Sequence, residues 1–356
     1  MPEHLLINDT DPRARGVSRG TQLRAGLAAS LELYMRWFRI LNLSEQQIHA
    51  DARRLLDTVS AWRGGYAEEI AGIAAAAGIE PWQAMALNGR TEIIAAQPYT
   101  QPECSTLVRS PASGAPFGIQ TWDWHQEMAG SWHTQQVSGT RFPFAGITEH
   151  GILGKIGINS AGLGLFFNIL GHRDDSASGV PVHVLAAAVL GEAGSVDEAL
   201  QLLREAPIRS SGAFTLLDPE TAVCAELSPL GVTTLPARDG FVLHTNHFLG
   251  DAAAKREKRA LFEPDSQRRY ALLAERTGER PDPAGADALL DYLCSGPGDP
   301  KLCCMPDPGA AFGDRWQTLA TVLLEPGART ARIHSGSPTT PGGWTTLAVT
   351  GSAVTR

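Results

Sequence analysis

A change in hydrophobic pattern near residue 103 is the feature that most constrains how this chain can fold. From about residue 21 to residue 96, apolar residues recur at the spacing of one helix face. This spacing predicts four helices, at 25–38, 47–59, 66–77 and 81–87. A loop with two prolines, 97–103, ends the helical region, and Cys104 begins a stretch of different character.

After residue 103 the sequence breaks into short strands separated by Gly, Pro and Ser. Strands are predicted at 105–109, 117–122, 134–138, 144–149, 152–159, 164–170, 213–217, 222–227, 232–235, 241–245, 317–324, 330–335 and 343–349. Further helices are predicted at 182–203, 251–277 and 285–294. The order helices, strands, helices, strands indicates an α+β layered fold rather than a repeated βαβ unit.

Composition excludes several classes of protein. The 356 residues carry a formal net charge of -8, so the chain offers no broad basic surface to nucleic acid. No apolar run approaches the ~18 residues that span a bilayer, and the first residues lack the basic and apolar regions of a secretory signal. We therefore expect a cytoplasmic protein with neither a nucleic-acid nor a membrane partner. The five cysteines are odd in number and scattered, which argues against a disulfide framework.

Cys104 differs from the other cysteines because it lies at the first residue of a predicted strand, directly after the loop. A cut between Glu103 and Cys104 would create an α-amine, whose ordinary pKa is about 8 and which can act as general base for the thiol of the same residue. The thiol itself can make that cut by attacking the preceding carbonyl, which gives a thioester that water hydrolyses. A single cysteine on a strand also fits a buried apolar position, so the pattern alone leaves both interpretations open.

Five short motifs occur in an order that resembles a known family. They are LNGRTE at 87–92, CST at 104–106, GIQTWDW at 118–124, GINSAGL at 157–163 and TNHF at 245–248. Each motif is unspecific alone, but with 209–218, 318–324 and 332–338 they extend the resemblance over nearly the whole chain. Their joint order is similar to that of the acyl-coenzyme A:6-aminopenicillanic acid acyltransferase family, also classed as C45 peptidases, which belongs to the N-terminal nucleophile (Ntn) hydrolases.

The resemblance implies an α+β fold, a four-layer αββα Ntn-hydrolase sandwich with antiparallel sheets. It also implies a precursor that cuts itself before the cysteine. Residues 1–103 would then be a helical α segment, and residues 104–356 a β segment that carries the nucleophile and the sandwich. With 38.0 kDa for the whole chain, these segments have masses of about 11 and about 27 kDa.

Three catalytic roles follow from the resemblance. Cys104 matches the nucleophile. Asp123, nineteen positions later in a Trp-Asp motif, matches the carboxylate that holds the new α-amine, although an aspartate at a strand end also suits a turn. Asn246 matches the residue whose neutral amide donates a hydrogen bond to the oxyanion, and it too would suit a turn.

Three further residues are assigned to the support of the oxyanion or of processing. Asn168 resembles the place where related enzymes supply a second, backbone oxyanion donor. Thr106 shares a strand face with Cys104, so its hydroxyl is placed to assist processing. Glu103 stands where the family often has glycine, which either slows the cut or lets Glu103 assist it.

Substrate contacts are assigned to aromatic residues near the nucleophile and to one arginine. Trp122, Trp124 and Phe142 line an acyl pocket in one interpretation and fill the core in the other. Arg315 is a candidate for binding an anionic group, with a structural role as the alternative. Gln120 stands where the bile-salt-hydrolase and penicillin V acylase branch has an arginine, which brings this chain closer to the acyltransferase branch.

The predicted activity is the cleavage or formation of a linear amide bond through an acyl-thioester intermediate, with no cofactor and no metal. A small-molecule amide or acyl donor, with acyl-coenzyme A among the candidates, is the expected substrate, and the oligomeric state is left open. The sequence has no CxxC, HExxH, GxGxxG, GxxxxGK[ST] or GxSxG motif. Their absence argues against a zinc protein, a nucleotide-binding protein and a serine hydrolase. An uncleaved, non-catalytic binding protein of the same fold is the alternative.

Overall fold

Helices form most of the chain before Cys104, as the apolar spacing predicts. The computed structural model describes residues 2–95, 97, 104–259 and 264–351. The helices of the first segment are α1 (Pro12–Gln22), α2 (Arg24–Ile40), α3 (Glu45–Ala77), α4 (Pro81–Asn88) and α5 (Arg90–Ile94). Those of the second are α6 (Val182–Glu192), α7 (Val196–Glu205), α8 (Asp251–Ala254) and α9 (Asp265–Glu279), followed by a 3-10 helix, Ala286–Leu293.

Local sequence signals explain where α3 begins, bends and ends. Ser44 and Gln47 form a capping box at its start, and Gly78 ends it with φ 75°. The predicted helices 47–59 and 66–77 are the two parts of α3, which meet at a kink where Arg63 has non-helical dihedrals (φ -150°, ψ 89°). Two glycines follow Arg63, and their weak helix propensity accounts for the bend.

The strands are close to those predicted, with one addition at the start of the chain. They are β1 (Glu3–Ile7), β2 (Ser105–Arg109), β3 (Phe117–His125), β4 (Trp132–Val137), β5 (Phe144–Glu149), β6 (Ile156–Asn159), β7 (Gly164–Ile169), β8 (Gly212–Leu217), β9 (Ala222–Ser228), β10 (Gly231–Pro236), β11 (Phe241–His244), β12 (Trp316–Glu325), β13 (Thr330–Ser335) and β14 (Trp344–Ala348). The sequence pattern does not predict β1. This strand is only five residues long, which is too short to show a clear alternation of apolar and polar residues.

Two sheets organise these strands. Sheet A has the order β1-β4-β5-β6-β7-β8-β9-β10, and sheet B has the order β11-β2-β3-β12-β13-β14. The pairings are antiparallel, as predicted, except that β1 pairs with β4 in parallel. The short antiparallel connections place neighbours in sequence beside each other in space.

Helical layers cover the outer faces of both sheets. On sheet A, α6 packs against β6 and β7, and α7 against β8, β9 and β10. On sheet B, Leu107 and Ile119 share a buried apolar cluster with Leu273 of α9 and Leu289 of the 3-10 helix. The larger apolar core includes the facing sides of both sheets. The predicted four-layer αββα sandwich is therefore confirmed. Among the described residues, no helix combines the length and the apolar character needed to cross a membrane.

Candidate active site

Cys104 directly precedes β2 and lies in the core between the two sheets, with 4% of its surface exposed. In the antiparallel pairing of β2 with β3, Ser105 is opposite Thr121 and Thr106 is opposite Gln120. Because side chains alternate along a strand, Cys104 shares the inner face of sheet B with Thr106. The thiol therefore lies at one end of the sandwich, at the edge where β2 begins and β3 ends.

Two side chains hold the carbonyl oxygen of Cys104. Asn168, on β7 of the opposite sheet, donates through Nδ2 at 2.8 Å. Arg269, on α9, donates through Nη1 at 3.1 Å. Donors from a strand and a helix of different layers thus fix the backbone of the cysteine, which is the preorganisation that a nucleophile requires.

A neutral hydrogen-bond network joins Thr106 to Asn168. The Thr106 hydroxyl donates to Asn168 Oδ1 at 2.7 Å, and Gln120 Nε2 donates to Thr106 Oγ1 at 2.6 Å. Gln120 also exchanges two hydrogen bonds with the backbone of Phe167, at 3.0 and 3.2 Å. Asn168 therefore contacts the backbone of Cys104 through its side chain, and the backbone oxyanion donor expected at this residue stays a prediction.

Asn246 follows β11 and is fully buried. Its backbone N–H donates to Ser266 Oγ at 2.7 Å, and its Nδ2 donates to the carbonyl of Ile169 at 3.0 Å. Its Oδ1 accepts from Arg269 Nη2 at 3.0 Å. A cation on the oxygen of an amide polarises the whole group, which makes its N–H a stronger donor.

Arg269 is a site residue that sequence reasoning missed. It is fully buried and pairs with Asp265 through Nε at 2.6 Å, while its two terminal nitrogens reach Cys104, Ser105 and Asn246. The one signal in the sequence is the spacing of Asp265 and Arg269, four residues apart on a predicted helix. That spacing is common on exposed helices, so it does not reveal a buried arginine.

Asp123 lies near the end of β3, on the face of the sheet opposite to that of Cys104. Its Oδ1 accepts from the hydroxyl of Thr318 at 2.5 Å, whereas Oδ2 has no nitrogen or oxygen donor among the described residues. Burial raises the pKa of Asp123 to about 6, against the lowering effects of the Thr318 hydroxyl and of Arg269. The carboxyl thus has one oxygen fixed and one left for a further group.

Comparisons with known proteins identify the family to which this chain belongs. The model of the family described as acyl-coenzyme A:6-aminopenicillanic acid acyl-transferase matches residues 111–340. The chain is also 31% identical, over 285 residues, to the 40 kDa form of acyl-coenzyme A:6-aminopenicillanic-acid-acyltransferase from Emericella nidulans, a match that covers 78% of this chain and 76% of that protein. The chain belongs to this acyltransferase family. The resemblance found in the sequence motifs is thereby confirmed.

Solved structures show more distant similarity to this acyltransferase-family chain. A variant of conjugated bile acid hydrolase from Clostridium perfringens has 12% identity and a TM-score of 0.48, covering 69% of this chain and 92% of that one. The Caenorhabditis elegans ortholog of N-acylethanolamine-hydrolyzing acid amidase has 13% identity and a TM-score of 0.45, covering 63% of this chain and 93% of that one.

A buried ionic cluster lies behind Cys104 in the acyltransferase-family chain. Glu149 Oε1 accepts from Arg90 Nη2 and from Lys155 Nζ, each at 2.7 Å, and Oε2 accepts from the Tyr34 hydroxyl. Burial alone would raise the pKa of Glu149, but Arg90 and Lys155 outweigh it and hold that pKa well below its usual range. Burial lowers the pKa of Lys155, an effect that Glu149 and, more weakly, Cys104 oppose. The cluster joins residues from both sides of position 104.

The predicted substrate residues have different surroundings. Trp122 and Trp124 are buried core side chains, with the Lys155 ammonium and the Arg90 guanidinium each 4.1 Å from a ring centroid. Phe142 lies in the loop between β4 and β5, at the other end of sheet A, so the fold does not bring it to Cys104. Arg315 precedes β12 and pairs with Glu127 at 2.7 Å. Glu103 lies outside the described residues.

A cavity of about 480 Å³ lies at the end of the sandwich that carries Cys104, where both sheets and α2 contribute to its lining. Trp132 and His150 line it from sheet A and the loop after β5, and Gln317 and Ser335 line it from sheet B. The Trp132 ring packs edge-on against that of Trp122, with 5.9 Å between their centroids. Since Trp122 directly follows the residue paired with Ser105, Trp132 connects the cavity lining to the strand pair that begins at Cys104.

Proposed function

We propose that this acyltransferase-family protein is an Ntn-type cysteine amidohydrolase or N-acyltransferase that activates itself by cutting the bond before Cys104. The observation that carries the proposal is the convergence of a strand, a helix and a loop on one cysteine. Asn168 and Arg269 hold its carbonyl, and Arg269 joins it to Asn246. A cysteine retained only to fill the core needs no such polar surroundings.

Processing uses the thiol of Cys104 on its own chain. Sγ bonds to the carbonyl carbon of Glu103, the C–N bond breaks, and the thiol proton ends on the nitrogen of Cys104. Water then hydrolyses the thioester, which regenerates the thiol and leaves a carboxylate on Glu103. The products are a 1–103 chain and a 104–356 chain, which together keep the fold.

Turnover repeats this chemistry on a small-molecule amide or thioester. The α-amine of Cys104 accepts the thiol proton, Sγ attacks the substrate carbonyl, and the amide of Asn246, polarised by Arg269, donates to the oxyanion. The protonated α-amine passes its proton to the leaving group. The acyl thioester on Cys104 is then taken by water or by an acceptor amine, which gives hydrolysis or acyl transfer.

The cavity beside Trp132 is proposed to receive the acyl group of the substrate. It lies at the same end of the sandwich as Cys104, and its volume of about 480 Å³ is within the range of small-molecule sites. Its lining combines the Trp132 ring with the polar side chains of Gln317 and Ser335. An acyl group with both an apolar body and a hydrogen-bonding group fits such a surface.

The intact masses of wild type and Cys104→Ala, purified side by side, test the processing step. We expect wild-type fragments of about 11 and about 27 kDa, the larger beginning at Cys104, and a single uncut Cys104→Ala chain. Cys224→Ala is the matched control, because Cys224 is equally buried on β9 and should be cut like wild type. An uncut wild-type chain that turns over amides would contradict the proposal.

A thiol-reactive acyl probe separates the enzyme from an uncleaved binding protein of the same fold. We expect the probe to label wild type and Cys224→Ala, and to leave Cys104→Ala unlabelled. Labelling that survives in Cys104→Ala would place the nucleophile elsewhere. An uncut wild type that takes no label would favour the binding protein.

A further inference from the structure

Thr318 is held between Asp123 and the segment that precedes β12. Its hydroxyl donates to Asp123 Oδ1 at 2.5 Å and accepts from the backbone N–H of Cys304 at 2.8 Å. The backbone N–H of Thr318 donates to the carbonyl of Cys304 at 3.0 Å. Two reciprocal hydrogen bonds therefore fix the position of the residue on which Asp123 depends.

These partners determine the direction of the hydroxyl proton. A backbone N–H can only donate, so the Cys304 N–H occupies a lone pair of Thr318 Oγ1. The single proton of that hydroxyl is then directed at Asp123 Oδ1. Oδ1 thus accepts a hydrogen bond from Thr318, which makes it the less favourable oxygen for a proton of the carboxyl. A proton carried by the carboxyl belongs on Oδ2.

Oδ2 is buried and has no nitrogen or oxygen donor in the described part of the chain, where the Cys304 thiol, a weak donor, is the other side chain that hydrogen-bonds the carboxyl. Thr121 pairs with Ser105, and one further step of that antiparallel register sets Trp122 opposite Cys104, so Asp123, the next residue of β3, lies on the amino side of Cys104. Burying a carboxylate oxygen without a hydrogen-bond donor lowers the stability of the fold. The nitrogen of Cys104 is the group that changes chemically at that edge when the chain is cut.

We infer that Thr318 is a positioning residue of the reaction, which holds Asp123 so that Oδ2 alone exchanges protons with the nitrogen of Cys104. This inference rests on the proposed function. In processing, Asp123 passes its Oδ2 proton to that nitrogen as the C–N bond to Glu103 breaks, and the thiol proton then joins the same nitrogen, which leaves an ammonium group beside a carboxylate. After processing, the Oδ2 carboxylate receives a hydrogen bond from the new ammonium group.

The other groups around Asp123 shift the pKa of its carboxyl, but none of them fixes the direction of a proton as the Thr318 hydroxyl does. Arg269 lowers its pKa from α9, and Asp265 of the same helix raises it slightly. The Cys304 thiol lowers the pKa of Asp123. Burial raises the pKa of the Cys303 thiol, and the charge of the Asp123 carboxylate in turn raises it further. Burial has the largest effect on the pKa of Asp123 and raises it, and the Thr318 hydroxyl lowers that pKa more than any of these other groups does.

Thr318→Val and Thr318→Ser test the inference, because valine keeps the shape of threonine without the hydroxyl and serine keeps the hydroxyl. In Thr318→Val we expect processing at least about 10-fold slower than in wild type. We also expect the acid limb of the turnover pH profile to move to higher pH by on the order of one unit, since the hydrogen bond that favours the carboxylate is lost. Thr318→Ser should restore both.

Thr321→Val is the matched control. Thr321 lies on the same strand, is fully buried and donates its hydroxyl to the carbonyl of Gly336 at 2.8 Å. Loss of the Thr321 hydroxyl should lower the melting temperature about as much as loss of the Thr318 hydroxyl does. It should leave the acid limb of the turnover pH profile in place. A processed, active Thr318→Val with the wild-type limb overturns this inference alone. A wild type that is neither cut nor active overturns the proposed function and this inference with it.

Discussion

Arg269 links Cys104 and Asn246 through one guanidinium group. Nη1 donates to the carbonyl oxygen of Cys104 at 3.1 Å, and Nη2 donates to Asn246 Oδ1 at 3.0 Å. Because the guanidinium is planar and rigid, the nucleophile and the oxyanion donor are held at a fixed separation by a single buried side chain. The helix that carries Arg269 is thus part of the site, although it lies on the outer face of sheet B.

Arg269→Gln should lower kcat/KM by about 100-fold or more, because it removes the cation that polarises Asn246 and one of the two donors on Cys104 O. Steady-state kinetics with an amide substrate measure the effect. Arg276→Gln is the control, since Arg276 lies two turns further along α9 and is 9% exposed, with Tyr292 O and Asp299 as partners. Equal losses in the two variants would reduce Arg269 to a structural arginine.

Asn246→Asp should separate stability from catalysis. A carboxylate at this position pairs with Arg269, so the melting temperature should hold or rise. It cannot donate to an oxyanion and places like charge beside it, so kcat should fall by on the order of 1000-fold. Thermal unfolding and single-turnover kinetics on the same preparation measure both. A variant that keeps wild-type kcat would show that Asn246 does not contact the oxyanion.

Glu149→Gln should lower the free energy of unfolding by about 3 kcal/mol or more, because it leaves Arg90 and Lys155 buried with less compensation. The Cys104→Ala background keeps the chain uncut, so urea unfolding compares like with like. Glu198→Gln is the control, since Glu198 pairs with Arg141 at the surface and its loss should cost less than about 1 kcal/mol.

The pH dependence of the same comparison has a definite sign. The folded pKa of Glu149 lies well below its ordinary value, so its contribution is complete above the unfolded pKa, about 4.3 for glutamate, and is lost as the pH falls through the folded pKa. The difference in stability between the parent and Glu149→Gln should therefore be constant near neutral pH and shrink on acidification. A difference that grows on acidification would contradict the assigned charge.

Ser335→Trp should fill the cavity from the exposed end of β13. If the acyl group binds there, KM for larger acyl groups should rise by about 10-fold while kcat for the smallest acyl group is retained. Thr346→Trp, on the neighbouring β14, is the matched control because its side chain is exposed outside that cavity. A uniform change across acyl sizes in Ser335→Trp would exclude the cavity as the acyl site.

Sequence patterns predicted most of the fold because each strand of the sandwich is short, apolar and bounded by turn residues. The αββα architecture and the family follow from the joint order of motifs. β1 was not predicted, because it forms by pairing with β4, which is more than 120 residues away in the sequence. The break in α3 at Arg63, by contrast, is expected from the two glycines that follow it, since glycine has a weak helix propensity.

The site was predictable only where a motif carries its chemistry. Cys104, Asp123 and Asn246 were named from motifs, and the fold places all three at one end of the sandwich, while their catalytic roles stay predictions. Arg269 and Thr318 were not named, because an arginine on a helix and a threonine on a strand have ordinary local explanations. Their importance comes from contacts across layers, which no local pattern encodes.

The cluster of Tyr34, Arg90, Glu149 and Lys155 has a consequence for how such a molecule loses its structure. A chain cut before Cys104 would have two of these residues on each fragment, and β1 would be paired with a strand of the other fragment. Unfolding would then release two polypeptides, and refolding would become a second-order reaction that slows on dilution. The lifetime of the mature form would be set by the rate of its first unfolding event.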